Sequence, residues 1–108
     1  MSTLSCHVLD TSCGQPAAGI PVEIFRFGET QSLAKGVTNQ DGRFSFAELQ
    51  LDADCYCLRF ITEDYCNEHF KQCFFPLADV VFNSDESQAH YHIPLLLSGF
   101  SYSTYRGS

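Results

Sequence analysis

No stretch of this 108-residue chain is apolar for long enough to cross a bilayer. The longest apolar run, near Ile93 to Leu97, falls far short of the about 20 residues that a spanning helix needs. The opening residues, Met1 to His7, contain neither a basic segment nor an apolar one, so no secretory signal is read there. Basic residues are scarce as well, with 6 Lys and Arg against 13 Asp and Glu and a formal net charge of −7. Such a balance repels phosphate backbones and anionic lipid surfaces, which argues against nucleic-acid and membrane partners. A soluble, cytoplasmic protein is expected.

Several chemistries lose their usual markers. No serine sits in a G-x-S-x-G elbow, and no glycine-rich phosphate cradle follows a strand, so a conventional serine-hydrolase triad and nucleotide binding are unsupported. The 6 cysteines, at positions 6, 13, 55, 57, 66 and 73, include no C-x-x-C pair. Neither a zinc ribbon nor a thioredoxin-like motif is therefore indicated. With 44% hydrophobic residues and no signal, the chain needs no covalent staples, and its cysteines read as free thiols behaving as small hydrophobes. Repeats, low-complexity segments and linkers are absent, and the length suits one domain over residues 1–108.

What is present is short alternation broken by turn residues, the pattern of an all-β sandwich or barrel. Leu4, Cys6 and Val8 share one face of a first strand, which puts His7 on the other. Further strands are expected at Ile20–Phe27, Ser32–Thr38, Arg43–Phe46, Cys55–Ile61, Val80–Asn83, His90–Leu97 and Phe100–Tyr105. One short helix fits Thr62 to Phe70, with Glu63 and Asp64 suited to its first turn. Asn39-Gln40-Asp41-Gly42 is a strong turn signal that delivers Arg43 at the mouth of the strand that follows.

The residues able to do chemistry are the histidines, the arginines and the terminus. His90-Tyr91-His92 places both imidazoles on one strand face, with Pro94 and Leu96 beyond them. Taken locally, the pair reads as structural histidines, as part of a site, or as a metal pair with His7 as a third ligand. In isolation His7 reads as a structural or surface histidine, Arg43 as a solvated edge residue and Arg59 as an outer-face residue. The ending Tyr105-Arg106-Gly107-Ser108 follows a strand-like run without the usual polar, expendable tail, which suggests that it takes part in a site.

Taken together, three blocks resemble the transthyretin-like family. They are Leu4 to Gly19 (LSCHVLDTSCGQPAAG), Thr38 to Arg43 (TNQDGR), and His90 to Leu97 (HYHIPLLL) followed by Ser101 to Ser108 (SYSTYRGS). The terminal Tyr-Arg-Gly-Ser is similar to the ending of the family's enzyme branch, the 5-hydroxyisourate hydrolases, and separates it from the hormone-carrier branch. One departure is Ser98-Gly99-Phe100-Ser101, which replaces the more usual Ser-Pro-x-Gly before the last strand and removes a fixed φ.

This resemblance implies a Greek-key β-sandwich of two four-stranded sheets with one short helix, assembled as a homotetramer with sites at a dimer–dimer interface. It implies a cofactor-free hydrolase of urate catabolism that converts 5-hydroxyisourate to 2-oxo-4-hydroxy-4-carboxy-5-ureidoimidazoline, and no residue is assigned as a metal ligand. The alternative within the family is a carrier that binds an aromatic ligand without catalysis. Carried over position by position, the catalytic groups fall on His7, Arg43, His92 and Ser108, and the substrate contacts on His7, Arg43, Tyr105 and Arg106. Arg106 and Gly107 would also hold the tail. Imidazole titrates near neutrality and suits activation of water, whereas a guanidinium suits a developing oxyanion. Which histidine is acid and which is base stays open, as does the role of His90 beyond support. Peroxisomal addressing is not indicated by an Arg-Gly-Ser ending.

Overall fold

The computed structural model describes residues 1–107. Its first strand, β1 (Thr3–Asp10), alternates strictly between half-buried and buried positions, so the period-2 pattern of its sequence sends Leu4, Cys6 and Val8 inward. The remaining elements are β2 (Gln15–Pro16), β3 (Pro21–Arg26), β4 (Ala34–Val37), β5 (Arg43–Ser45), β6 (Cys55–Ile61), α1 (Glu63–His69), β7 (Leu77–Asn83), β8 (His90–Leu97) and β9 (Tyr102–Thr104).

The strands form two sheets. One runs β2-β1-β8-β9 with β5 also paired to β1, and the other runs β4-β3-β6-β7. The first therefore has five strands where four were expected, because Gln15 and Pro16 pair with Asp10 and Leu9 and share the edge of β1 with β5. Two residues between turn signals carry no period that sequence could reveal. Strand β7 also begins at Leu77 rather than at Val80, since Ile61 of β6 supplies a partner for it.

One continuous core lies between the layers. Leu4, Cys6 and Val8 meet Tyr91, Ile93, Leu95 and Leu97 of β8, and across the sandwich Val22 and Ile24 of β3 with Tyr56, Leu58 and Phe60 of β6. All six cysteines are free thiols. Burial pushes the Cys6 thiol up to about 12, which keeps it protonated and inert.

The helix begins at Thr62, whose hydroxyl bonds the Phe75 carbonyl at 2.6 Å instead of capping the helix. Tyr65 reaches from α1 to the carboxylate of buried Asp10 at 2.7 Å, which pins the helix to the end of β1. The turn before β9, which lacks proline, is closed by hydrogen bonds instead. The Ser98 amide donates to the Ser101 carbonyl at 2.9 Å, and the two hydroxyls lie 2.8 Å apart.

Candidate active site

Strands β1 and β8 run parallel at the centre of the five-stranded sheet, with Thr3 opposite His90, Ser5 opposite His92 and His7 opposite Pro94. Because the odd-numbered positions of β1 and the even-numbered positions of β8 face away from the core, this register lines up Thr3, Ser5, His7, His90 and His92 on the outer face. Strand β5 adds Arg43 directly opposite His7 across an antiparallel pair, where side chains on one face are close neighbours.

The position of Arg43 depends on the turn before it. Asn39 accepts the amides of Asp41 and Arg43 on its side-chain oxygen, at 2.9 and 3.1 Å. Gly42, at φ +72°, passes so close to β1 that a Cβ there would stand 2.5 Å from the Val8 carbonyl oxygen. That carbonyl approach and the left-handed backbone both call for glycine. The Asp-Gly turn is thus what seats Arg43 beside His7.

Two hydroxyls tie the His-x-His pair together. Ser5 Oγ lies 2.9 Å from His90 Nε2 and 2.8 Å from His92 Nδ1. Thr3 Oγ1 contacts His90 Nδ1 and, at 3.4 Å, the Ala89 carbonyl. Neither hydroxyl was singled out from sequence. The i, i+2, i+4 spacing of Thr3, Ser5 and His7 was visible, but their parallel register against β8 was not.

Partial burial holds both His7 and His92 below the ordinary histidine value of 6.5, and the Arg43 guanidinium acts in the same direction on each. His7 and His90 add to the effect at His92. At His7 the backbone and carboxylate of Asp41 pull the other way. The net result favours neutral imidazoles near pH 7.

The tail returns to this sheet. Gly107 bridges His92, donating its amide to the His92 carbonyl at 2.8 Å. Arg106 bonds the Gln88 side chain at 2.8 Å and lies over the Tyr91 ring, 5.7 Å from its centroid. Tyr105 and Arg106 line a cavity of about 230 Å³ with Phe82, Tyr91 and Ile93, and thus open toward the inner side of β8, away from the His92 ring. Ser108 lies outside the described residues.

His7, Arg43, His90 and His92 are therefore brought together, whereas Tyr105 and Arg106 border the neighbouring cavity. Arg59 is a paired outer residue, bonded to Asp79 at 2.8 Å and stacked 5.2 Å from the Phe25 centroid. His69 stacks on Tyr65 at 4.1 Å. Among the described residues, no three His, Cys, Asp or Glu side chains converge as metal ligands. Nor is any helix among them long and apolar enough to cross a membrane.

Residues 4–107 match the model of the HIUase/Transthyretin family. The chain is 44% identical to a 5-hydroxyisourate hydrolase of Halalkalibacterium halodurans, covering 97% of both proteins. The solved 5-hydroxyisourate hydrolase of Klebsiella pneumoniae superposes with a TM-score of 0.88 at 41% identity, covering 100% of each chain. Transthyretin from Sparus aurata superposes with a TM-score of 0.83 at 30% identity, over 96% of this chain and 95% of that one. A transthyretin-like sandwich carrying an Arg-His-His face, with the match extending through the tail, makes this chain a member of the HIUase/Transthyretin family.

Proposed function

We propose that residues 1–108 act as one hydrolase domain that opens 5-hydroxyisourate to 2-oxo-4-hydroxy-4-carboxy-5-ureidoimidazoline. The observation that carries this reading is the convergence of His7, Arg43 and His92 on one open sheet face, next to a tail bridged to His92. The relatives named as hydrolases of this substrate support it, being similar over nearly the whole length.

In this reading, the water oxygen bonds to the carbonyl carbon of the cyclic amide while an imidazole takes one of its protons. The carbonyl electrons move onto oxygen, and the Arg43 guanidinium stabilises that oxyanion. Collapse of the adduct breaks the C–N bond, and an imidazolium returns a proton to the leaving nitrogen. His92 and Ser108 serve the water, and His7 serves the substrate or the leaving nitrogen. Tyr105, exposed on the tail at the mouth of the neighbouring cavity, meets the substrate from the tail side of β8 and not from the histidine face. Arg106 contributes by holding that tail against Gln88 and Tyr91. No cofactor enters any step.

The catalytic face is open in a single chain, and chemistry of this kind gains from excluding water. Assembly into a homotetramer, with sites at a dimer–dimer interface, encloses it by symmetry. The test follows the ultraviolet signal of freshly generated 5-hydroxyisourate with wild type and with His92→Ala. Acceleration by wild type, lowered at least about a hundredfold in the variant, is expected. If wild type leaves the spontaneous decay unchanged, the reading fails.

A further inference from the structure

A hydroxyl group has one proton to donate, and this arithmetic decides the state of the His-x-His pair. The Ala89 carbonyl can only accept, so Thr3 meets both of its contacts by donating to that carbonyl and accepting from His90 Nδ1–H. A neutral His90 with its proton on Nδ1 offers a lone pair at Nε2. Ser5 then donates to His90 Nε2 and has only an acceptor position left for His92, whose Nδ1 must bear a proton. With both rings neutral, no other placement of protons satisfies all four contacts. Reversing any one donor leaves two acceptors or two donors facing each other.

We propose that Thr3, Ser5 and His90 are positioning residues that hold His92 as its Nδ1–H tautomer, with the lone pair on Nε2, and so make His92 the base that takes the proton from water. The inference deepens the hydrolase reading and rests on it. When the water oxygen bonds to the carbonyl carbon, its proton passes to Nε2, and the imidazolium keeps the Nδ1–H···Ser5 bond that it already had. No second proton has to move, so the relay serves both charge states of His92 without reorganisation, which is the condition for effective electrostatic catalysis. The ring edge bearing Cδ2, next to Nε2, lies against Gly107, where a Cβ would come within 2.7 Å. Nε2 is thus the nitrogen on the side of the tail.

The experiment pairs ¹⁵N-histidine NMR of the full chain with steady-state kinetics on wild type, Ser5→Ala, Ser5→Thr and Thr3→Val. In wild type at neutral pH, His92 is expected to show a protonated Nδ1 and an unprotonated Nε2. Ser5→Ala should move His92 toward the Nε2–H tautomer and lower kcat about tenfold to a hundredfold while KM changes less than about twofold. Ser5→Thr, which retains the hydroxyl, should restore both the tautomer and kcat. Thr3→Val, at the far end of the relay, should move both readouts in the same direction but less, and it serves independently of how well Ser5→Ala folds. An Nε2–H tautomer in wild type overturns the proposal, as does an unchanged His92 tautomer and kcat in Ser5→Ala. Failure of the hydrolase reading is a separate result, namely no acceleration by wild type whatever the tautomer.

Discussion

Gly107 donates its backbone amide to the His92 carbonyl at 2.8 Å, and the His92 ring fills the space that a side chain on residue 107 would need. A Cβ there would stand 2.7 Å from His92 Cδ2 and 3.0 Å from the His92 carbonyl oxygen. The tail and β8 therefore fit only while residue 107 has no side chain.

Gly107→Ala should consequently lift the tail from β8 without unfolding the sandwich, since the bridge lies outside the continuous core. Turnover is expected to fall about tenfold or more, by the sensitivity of catalysis to displacements near 1 Å. Circular dichroism and the melting temperature should stay close to wild type. Wild-type turnover in Gly107→Ala would show that the tail's contact with His92 is dispensable.

The pH dependence follows from the lowered values at His7 and His92, whose ordinary value is 6.5. Below 6.5 the unfolded chain binds protons that the native state still refuses, so stability rises with pH through the window from the lowered folded values up to 6.5. Above that window the contribution is flat, and below it the full penalty persists. Urea titrations at a series of pH values should show this slope, and replacing both histidines by glutamine should flatten it. Activity should gain its acid limb in the same range, below 6.5, because partial burial and then Arg43, His7 and His90 disfavour the imidazolium of His92.

Arg43→Lys should behave as a severe substitution. Lysine keeps the charge, but it loses the planar fork that can grip two oxygens of a flat heterocycle. A drop of about 10²-fold in kcat/KM is expected, the scale of a lost oxyanion donor, with the melting temperature little changed because Arg43 is exposed. Comparable kcat/KM for the lysine and arginine enzymes would reduce the role of Arg43 to charge alone.

Gly36→Ala probes the support beneath the site. A Cβ on Gly36 of β4 would meet Phe44 ring atoms at 2.1 to 2.6 Å, and Phe44 sits next to Arg43 on β5. Phe44 cannot yield freely, since it also packs edge to face on Phe46 at 4.8 Å. Overpacking of this kind costs about 1–3 kcal/mol, which denaturant titration can measure. Displacing β5 should also lower kcat/KM through Arg43, although Gly36 belongs to the opposite sheet.

Alternation alone was sufficient to place His7 opposite Leu4, Cys6 and Val8, to pair His90 with His92 on one face, and to locate the long strands within a few residues. Side-chain period in a strand is a local property, so sequence carries it. The Asn39 to Gly42 turn was legible for the same reason, since its side-chain hydrogen bonds and left-handed glycine are satisfied within four residues. The two-residue strand Gln15–Pro16 and the early start of β7 at Leu77 were not legible, because both exist only through a partner strand.

The amino-acid sequence by itself determined the outward face of β1, the turn that carries Arg43, the inward core and the family. Only the tertiary structure decided that β1 and β8 lie parallel with Ser5 against His92 and Thr3 against His90. Register between strands more than 80 residues apart depends on how two whole faces pack, and a slip of one residue would turn every hydroxyl away from its imidazole. The histidines were readable as candidates, while the hydroxyls that hold them came from the pairing.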